Sequence, residues 1–114
     1  MEHNRPYKRK ERVSELIQRE LGQIILREVE LTAITTITRV EVTAKLDFAR
    51  VYISVLPDDK LNEALKLLGR RSRYLQSLLL RKLNIKPMPT IGFYEDKGAA
   101  SAAKVEKALL EEKE

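Results

Sequence analysis

The apolar residues of this chain change period twice, and that switch limits the folds open to it. From Lys8 to Val29 they fall at Val13, Leu16, Ile17, Leu21, Ile24, Ile25 and Val29. Steps of three and four make one helical stripe, with Arg12, Glu15, Arg19 and Gln23 opposite. From Thr32 to Ala44 the chain turns to Thr, Ile and Val, which suit a pleated, half-buried surface. The alternation there slips phase between Ile37 and Val40, which predicts a β-bulge. Ala49, Val51, Ile53 and Val55 then alternate cleanly and should face inward. The short link Lys45–Phe48 predicts an antiparallel hairpin.

Helical spacing returns after Pro57, with Asp58 or Asp59 as the expected N-cap. Leu61, Ala64, Leu65 and Leu68 form one apolar stripe and Leu75, Leu78, Leu79 and Leu83 another. Between them Gly69-Arg70-Arg71-Ser72-Arg73 offers nothing apolar to bury, so a kink is expected, shaped by Gly69 and Ser72. Pro87 and Pro89 bar continuation, and Thr90–Glu95 reads as a third strand with Ile91 and Phe93 on one face. An Ala-rich helix follows, running to about Glu112. The result is a small α+β domain: a three-stranded sheet covered on one face by helices, the second of them broken. Residues 1–8 read as a flexible basic arm and 9–112 as a single domain, as 114 residues allow.

Composition removes several functions. There is no cysteine, which excludes disulfides, thiolate metal sites and thiol catalysis. The single histidine, His3, lies in the arm, leaving no imidazole for acid–base work and no activating base for the serines. Asp58-Asp59 and Glu95-Asp96 are accounted for by capping and turn chemistry. No phosphate-binding or dinucleotide glycine motif is present. The expectation is a binding protein with no catalytic residues, cofactor or metal. The polar N-terminus and aliphatic runs of at most three residues point to a cytoplasmic protein with no membrane partner.

Charge is distributed unevenly. The chain carries a net charge of +5. Lys60, Lys66, Arg70, Arg71, Arg73, Arg81, Lys82 and Lys86 face one acid, Glu63, so this stretch alone holds a surplus of seven. A solvated helix face normally mixes signs, as the first helix does, so the run points to an anionic partner, above all nucleic acid. At the break, Arg70, Arg71 and Arg73 flank Ser72, where a new helix would present free N–H groups to phosphate. Lys8, Arg9, Lys10 and Arg12 make a second basic patch. Aromatics are 5% of the chain, and Tyr52, Tyr94 and Phe93 fall in strands, so phosphate and shape recognition is expected over base stacking.

Taken in order, several segments resemble the ribosome-binding factor A family over about residues 9–110. The opening Arg12-Val13-Ser14-Glu15-Leu16-Ile17-Gln18-Arg19-Glu20-Leu21 is similar to the family's first helix. Ile37-Thr38-Arg39-Val40 and Ala49-Arg50-Val51-Tyr52-Ile53-Ser54 are similar to its hairpin. Leu75-Gln76-Ser77-Leu78-Leu79, Pro89-Thr90-Ile91-Gly92-Phe93 and Val105–Leu110 follow its later helix, strand and last helix. Where the family carries Ala-x-Gly at its helix junction, this chain has Arg71-Ser72-Arg73, and Lys45-Leu46 replaces its usual Asp-Leu. The resemblance implies a type II KH-like fold, binding to the small (30S) ribosomal subunit, and an RNA-chaperone role in late maturation and 5′-end processing of 16S rRNA. It also implies adaptation to cold and no catalysis. The expected contacts are Arg70, Arg71, Ser72, Arg73, Arg81, Lys82 and Lys86, with Lys8, Arg9, Lys10 and Arg12 as the second patch, in a protein monomeric when free. The alternatives are a module docking an acidic protein and a small DNA-binding domain.

Overall fold

A computed structural model describes the backbone of residues 5–98 and side chains from Arg9 onward. The first helix, α1, spans Arg5–Glu28. It begins earlier than expected, so half of the residues read as an arm are helical. Pro6 is compatible with this, because first-turn amides have no partner inside a helix and the ring presets the backbone angle. Residues 1–4, the rest of that arm, lie outside the described residues, as does the helix expected up to Glu112. The stripe of α1 is buried except at Leu16, which is half-buried, and Ile17 and Leu21 are fully enclosed.

The sheet has strands β1 (Ile34–Val42), β2 (Phe48–Leu56) and β3 (Thr90–Glu95), in the order β1-β2-β3. β1 and β2 form the expected antiparallel hairpin, from Ile34 opposite Leu56 to Val42 opposite Ala49. The register shifts between Ile37 and Arg39, so the extra residue, Thr38, is the bulge that the phase slip predicted. Thr43 closes the connection: its N–H donates to the Phe48 carbonyl at 2.9 Å, and its Oγ1 accepts from the amides of Asp47 and Phe48 at 3.2 Å. β3 runs parallel to β2, with Phe48 opposite Thr90 and Tyr52 opposite Tyr94. A parallel neighbour needs a long crossover, and the broken helix supplies it.

That crossover begins with a 3₁₀ turn, Asp58–Lys60, followed by α2 (Leu61–Arg70) and α3 (Ser72–Leu83). Neither Asp58 nor Asp59 caps α2: both lie in the 3₁₀ turn, Lys60 occupies the N-cap position, and no side chain bonds there. Their charges still stand before the positive end of α2, which favours them electrostatically. The break falls at Arg71 (φ −97°, ψ 3°), not at Gly69, which completes the last turn of α2. The Arg71 N–H closes α2 on the Leu67 carbonyl at 3.1 Å, and the Leu75 N–H opens α3 on the carbonyl of Arg71 at 2.9 Å. α3 ends at Asn84 in the left-handed conformation (φ 52°), ahead of Pro87. Its N–H bonds the Leu80 carbonyl at 2.7 Å.

The helices bury one face of the sheet. Val40, Val42, Ala49, Val51, Ile53, Val55 and Ile91 meet the stripes of α1 (Val13–Ile25), α2 (Ala64, Leu68) and α3 (Leu75, Leu79), with Val29 just past α1, in one apolar cluster. Among the described residues this core contains no buried polar or charged residue. Phe93 packs against it, whereas Tyr52 and Tyr94 pair at 6.0 Å on the open face, with the Arg39 guanidinium 4.0 Å from the Tyr52 ring centre.

Candidate nucleic-acid interface

The bend at Arg71 is tied to the end of α1. The Arg71 guanidinium donates to the Glu28 carbonyl at 3.5 Å and lies 4.9 Å from the centre of the Tyr74 ring. The Tyr74 hydroxyl donates to the Glu28 carboxylate at 2.9 Å. A cation at a helix C-terminus meets carbonyls left without helical partners, so the contact suits both sides. It sets the start of α3 beside the end of α1, and the two helices run antiparallel. The hydrogen bond to Glu28 and its negative charge hold the Tyr74 phenol above the usual tyrosine range, against the smaller opposing pull of Arg71 and Arg81.

The seven residues expected at the broken helix are therefore not equivalent. Arg70 and Arg73 are exposed on either side of the bend. Arg71, although exposed, is turned back onto Glu28 and Tyr74. Ser72 is the half-buried first residue of α3, where the free amides of a new helix begin. Gly69 is exposed, and a side chain there would meet nothing within 4 Å, so the bend does not depend on its lack of one. Arg81 and Lys82 line a shallow groove between α3 and α1, with Glu20, Ile24, Arg27 and Leu78. Lys86 is exposed on the loop leading to β3.

Three residues of this region do not stand out in the sequence. Arg27 adds a cation from α1, and Glu28 and Tyr74 make the tie. Arg27 is hidden by the mixed charge of the α1 surface. Tyr74 carries a usable signal, since it directly follows Arg70-Arg71-Ser72-Arg73.

The second basic patch divides. Arg9 and Arg12 are exposed, and at 3.6 residues per turn they share roughly one quarter of the α1 circumference with Glu20 and Arg27, the side turned to α3. Lys10 instead borders a cleft between α1 and β1, where Arg39 and Arg50 are offset by Glu11, Glu15 and Glu41. Lys8 lies in the backbone of α1, its side chain outside the described residues. The helical side of the molecule thus carries Arg9 and Arg12 at one end, Arg27, Arg81 and Lys82 between, and Arg70 and Arg73 at the bend. Among the described residues no group of three or more His, Asp or Glu side chains could hold a metal ion, and no helix is long and apolar enough to cross a membrane.

Comparison with known proteins agrees with the resemblance read from the sequence. Ribosome-binding factor A of Chlorobium limicola is 36% identical over 107 residues, covering 90% of each chain. The crystal structure of ribosome-binding factor A from Thermus thermophilus matches with a TM-score of 0.66 at 23% identity, over 75% of this chain and 94% of that one. A homology model of the Thermus factor, fitted into the cryo-EM map of its 30S complex, matches with a TM-score of 0.62 at 21% identity, over 73% of this chain and 90% of that one. The fold is accordingly α+β and KH-like, as those structures are. Residues 9–109 match the family model for ribosome-binding factor A, and the chain belongs to that family.

Proposed function

We propose that this protein binds the small ribosomal subunit by laying the α1–α3 side against 16S rRNA. It would act as an RNA chaperone in late subunit maturation and 5′-end processing, in the cytoplasm and as a free monomer, and would support growth in the cold. It would carry out no chemistry: its contribution is to hold one RNA arrangement while others form. Family membership supports the ribosomal target, as does the relative fitted into a 30S complex. The observation that carries the surface assignment is the convergence of exposed cations from two helices: Arg27 of α1 joins Arg81 and Lys82 of α3 along one groove. Phosphate contacts of this kind supply affinity and position without reading sequence.

The test is co-sedimentation with immature small subunits across a salt series. Replacing Arg70, Arg73 and Arg81 together by Gln should leave the fold intact and weaken binding. Removing each phosphate-pairing side chain should flatten the log–log salt dependence by about 0.7–0.9. A triple variant that co-sediments like the parent at moderate salt removes this surface from the interface.

A further inference from the structure

Two aromatic residues among those described are exposed by more than a third, Tyr94 at 40% and Tyr74 at 44%. Their surroundings differ. Tyr94 lies on the open sheet face beside Tyr52 and is followed directly by Glu95 and Asp96. Its neighbour Tyr52 is overlain by the Arg39 guanidinium and bonds Glu41 through its hydroxyl. Tyr74 stands at the helix bend, directly after Arg70, Arg71, Ser72 and Arg73, with Arg81 near enough to act on its ionisation.

The Tyr74 ring is also fixed in place. Its hydroxyl is held by Glu28 at 2.9 Å and the Arg71 guanidinium lies 4.9 Å from its centre. Arg71 covers one face of the ring and the residue is 44% exposed; a ring held at its hydroxyl and on one face loses little freedom when a flat partner settles on its remaining surface. Every nucleobase offers such a partner, and the cations around the ring match the phosphates on either side of it.

We propose that Tyr74 is a stacking platform for one unpaired base of the bound RNA, with Arg70 and Arg73 taking the adjacent phosphates. This rests on the proposed RNA-binding surface and refines it. The contact at the bend then consists of phosphate pairing plus a single stacked base. The low aromatic content limits how many bases can be held in this way and does not prevent one. Glu28 and Arg71 act as positioning residues, setting the ring plane without touching the base.

The experiment uses the full chain and two RNA probes of equal length, a short oligoadenylate and an abasic ribose-phosphate oligomer. Both carry the same phosphates, and one carries bases. The parent protein should bind oligoadenylate about tenfold more tightly than the abasic probe, with the same salt slope for both. Tyr74→Leu should abolish that preference, bringing the ratio of the two affinities to about one. Tyr74→Phe, which keeps the ring and loses the hydroxyl, should retain most of the preference.

If Tyr74→Leu keeps the preference, Tyr74 is not the platform. If Tyr74→Phe loses as much as Tyr74→Leu, the hydroxyl tie to Glu28 is the whole role of the residue, and the stacking assignment is wrong. If the parent binds both probes equally, stacking fails while the phosphate surface stands. If it binds neither, the RNA-binding surface itself fails.

Discussion

Arg71 carries the break between α2 and α3, and it does so by contacts made outside its own helices. A stretch without apolar residues at 69–73 is enough to predict a kink, because no helix face there has anything to bury. It is not enough to place it. Gly69 is the conspicuous residue, yet it sits in ordinary helix with open space around it, while Arg71 reaches across to Glu28. That contact joins residues 43 apart in sequence, and no local pattern discloses it. Gly69→Ala should therefore stabilise α2 by about 0.5–1 kcal/mol, the difference in helix propensity, and leave the bend unchanged. Thermal unfolding should show a midpoint rise of a few degrees; a fall would mean that the bend uses the glycine.

The Tyr74–Glu28 bond also gives a pH signature. Its phenol is held above the ordinary range, so the tie contributes fully below the unfolded tyrosine value near 10 and is lost as pH rises through the higher folded value. Glu28→Gln removes the charge that opposes ionisation. Tyrosinate absorbance should then show one tyrosine titrating at lower pH than in the parent, and an unchanged titration would remove Glu28 as the cause.

At the scale of elements, legibility depends on whether the determining interactions are local. The helix stripes, the hairpin and its bulge follow from residue spacing, and they form where spacing put them, apart from the earlier start of α1. The pairing of β3 does not: Thr90–Glu95 reads as a strand, but its place beside β2 and its parallel direction depend on how the crossover packs. The cap departs from expectation for a related reason. Asp58 and Asp59 have the right chemistry, but a 3₁₀ turn intervenes and moves the start of α2 to Leu61.

The joining of α3 to the other helices and the sheet is carried by its enclosed leucines. Leu75 is fully buried, and Leu75→Ala should cost about 2–5 kcal/mol, a large part of the stability of a domain this size. Leu80, 38% exposed on the same helix, should cost well under half as much when changed to Ala. Denaturant unfolding of the pair checks this, and equal losses would mean that α3 packs by a different face.

Over the whole molecule, the surplus charge between Lys60 and Lys86 singles out α2 and α3 but does not by itself define a surface. The fold adds Arg27 from α1, diverts Arg71 into a structural tie, and separates Lys10 from Arg9 and Arg12. Residues distant in the chain meet because α1 and α3 run antiparallel, a relation present only in the packed molecule. What remains is a line of cations along one side, interrupted by Glu20 and with Arg27 3.9 Å from the Glu28 carboxylate. Arg12 stands about 22 Å from Arg27 by the rise of the helix, so its two ends share no neighbours. Sites so far apart should act independently. If one RNA surface spans them, Arg9→Gln with Arg12→Gln and Arg70→Gln with Arg73→Gln should each lower the salt slope by about 1.4–1.8, two phosphates apiece. The fourfold variant should lose the sum, with binding free energies additive to within about 0.5 kcal/mol. Salt titrations of binding to immature small subunits would give all three slopes. An unchanged slope for the Arg9 and Arg12 pair would confine the RNA to the bend and the groove beside it. A fourfold loss much smaller than the sum would mean that the two ends compete for the same phosphates instead of following one continuous surface.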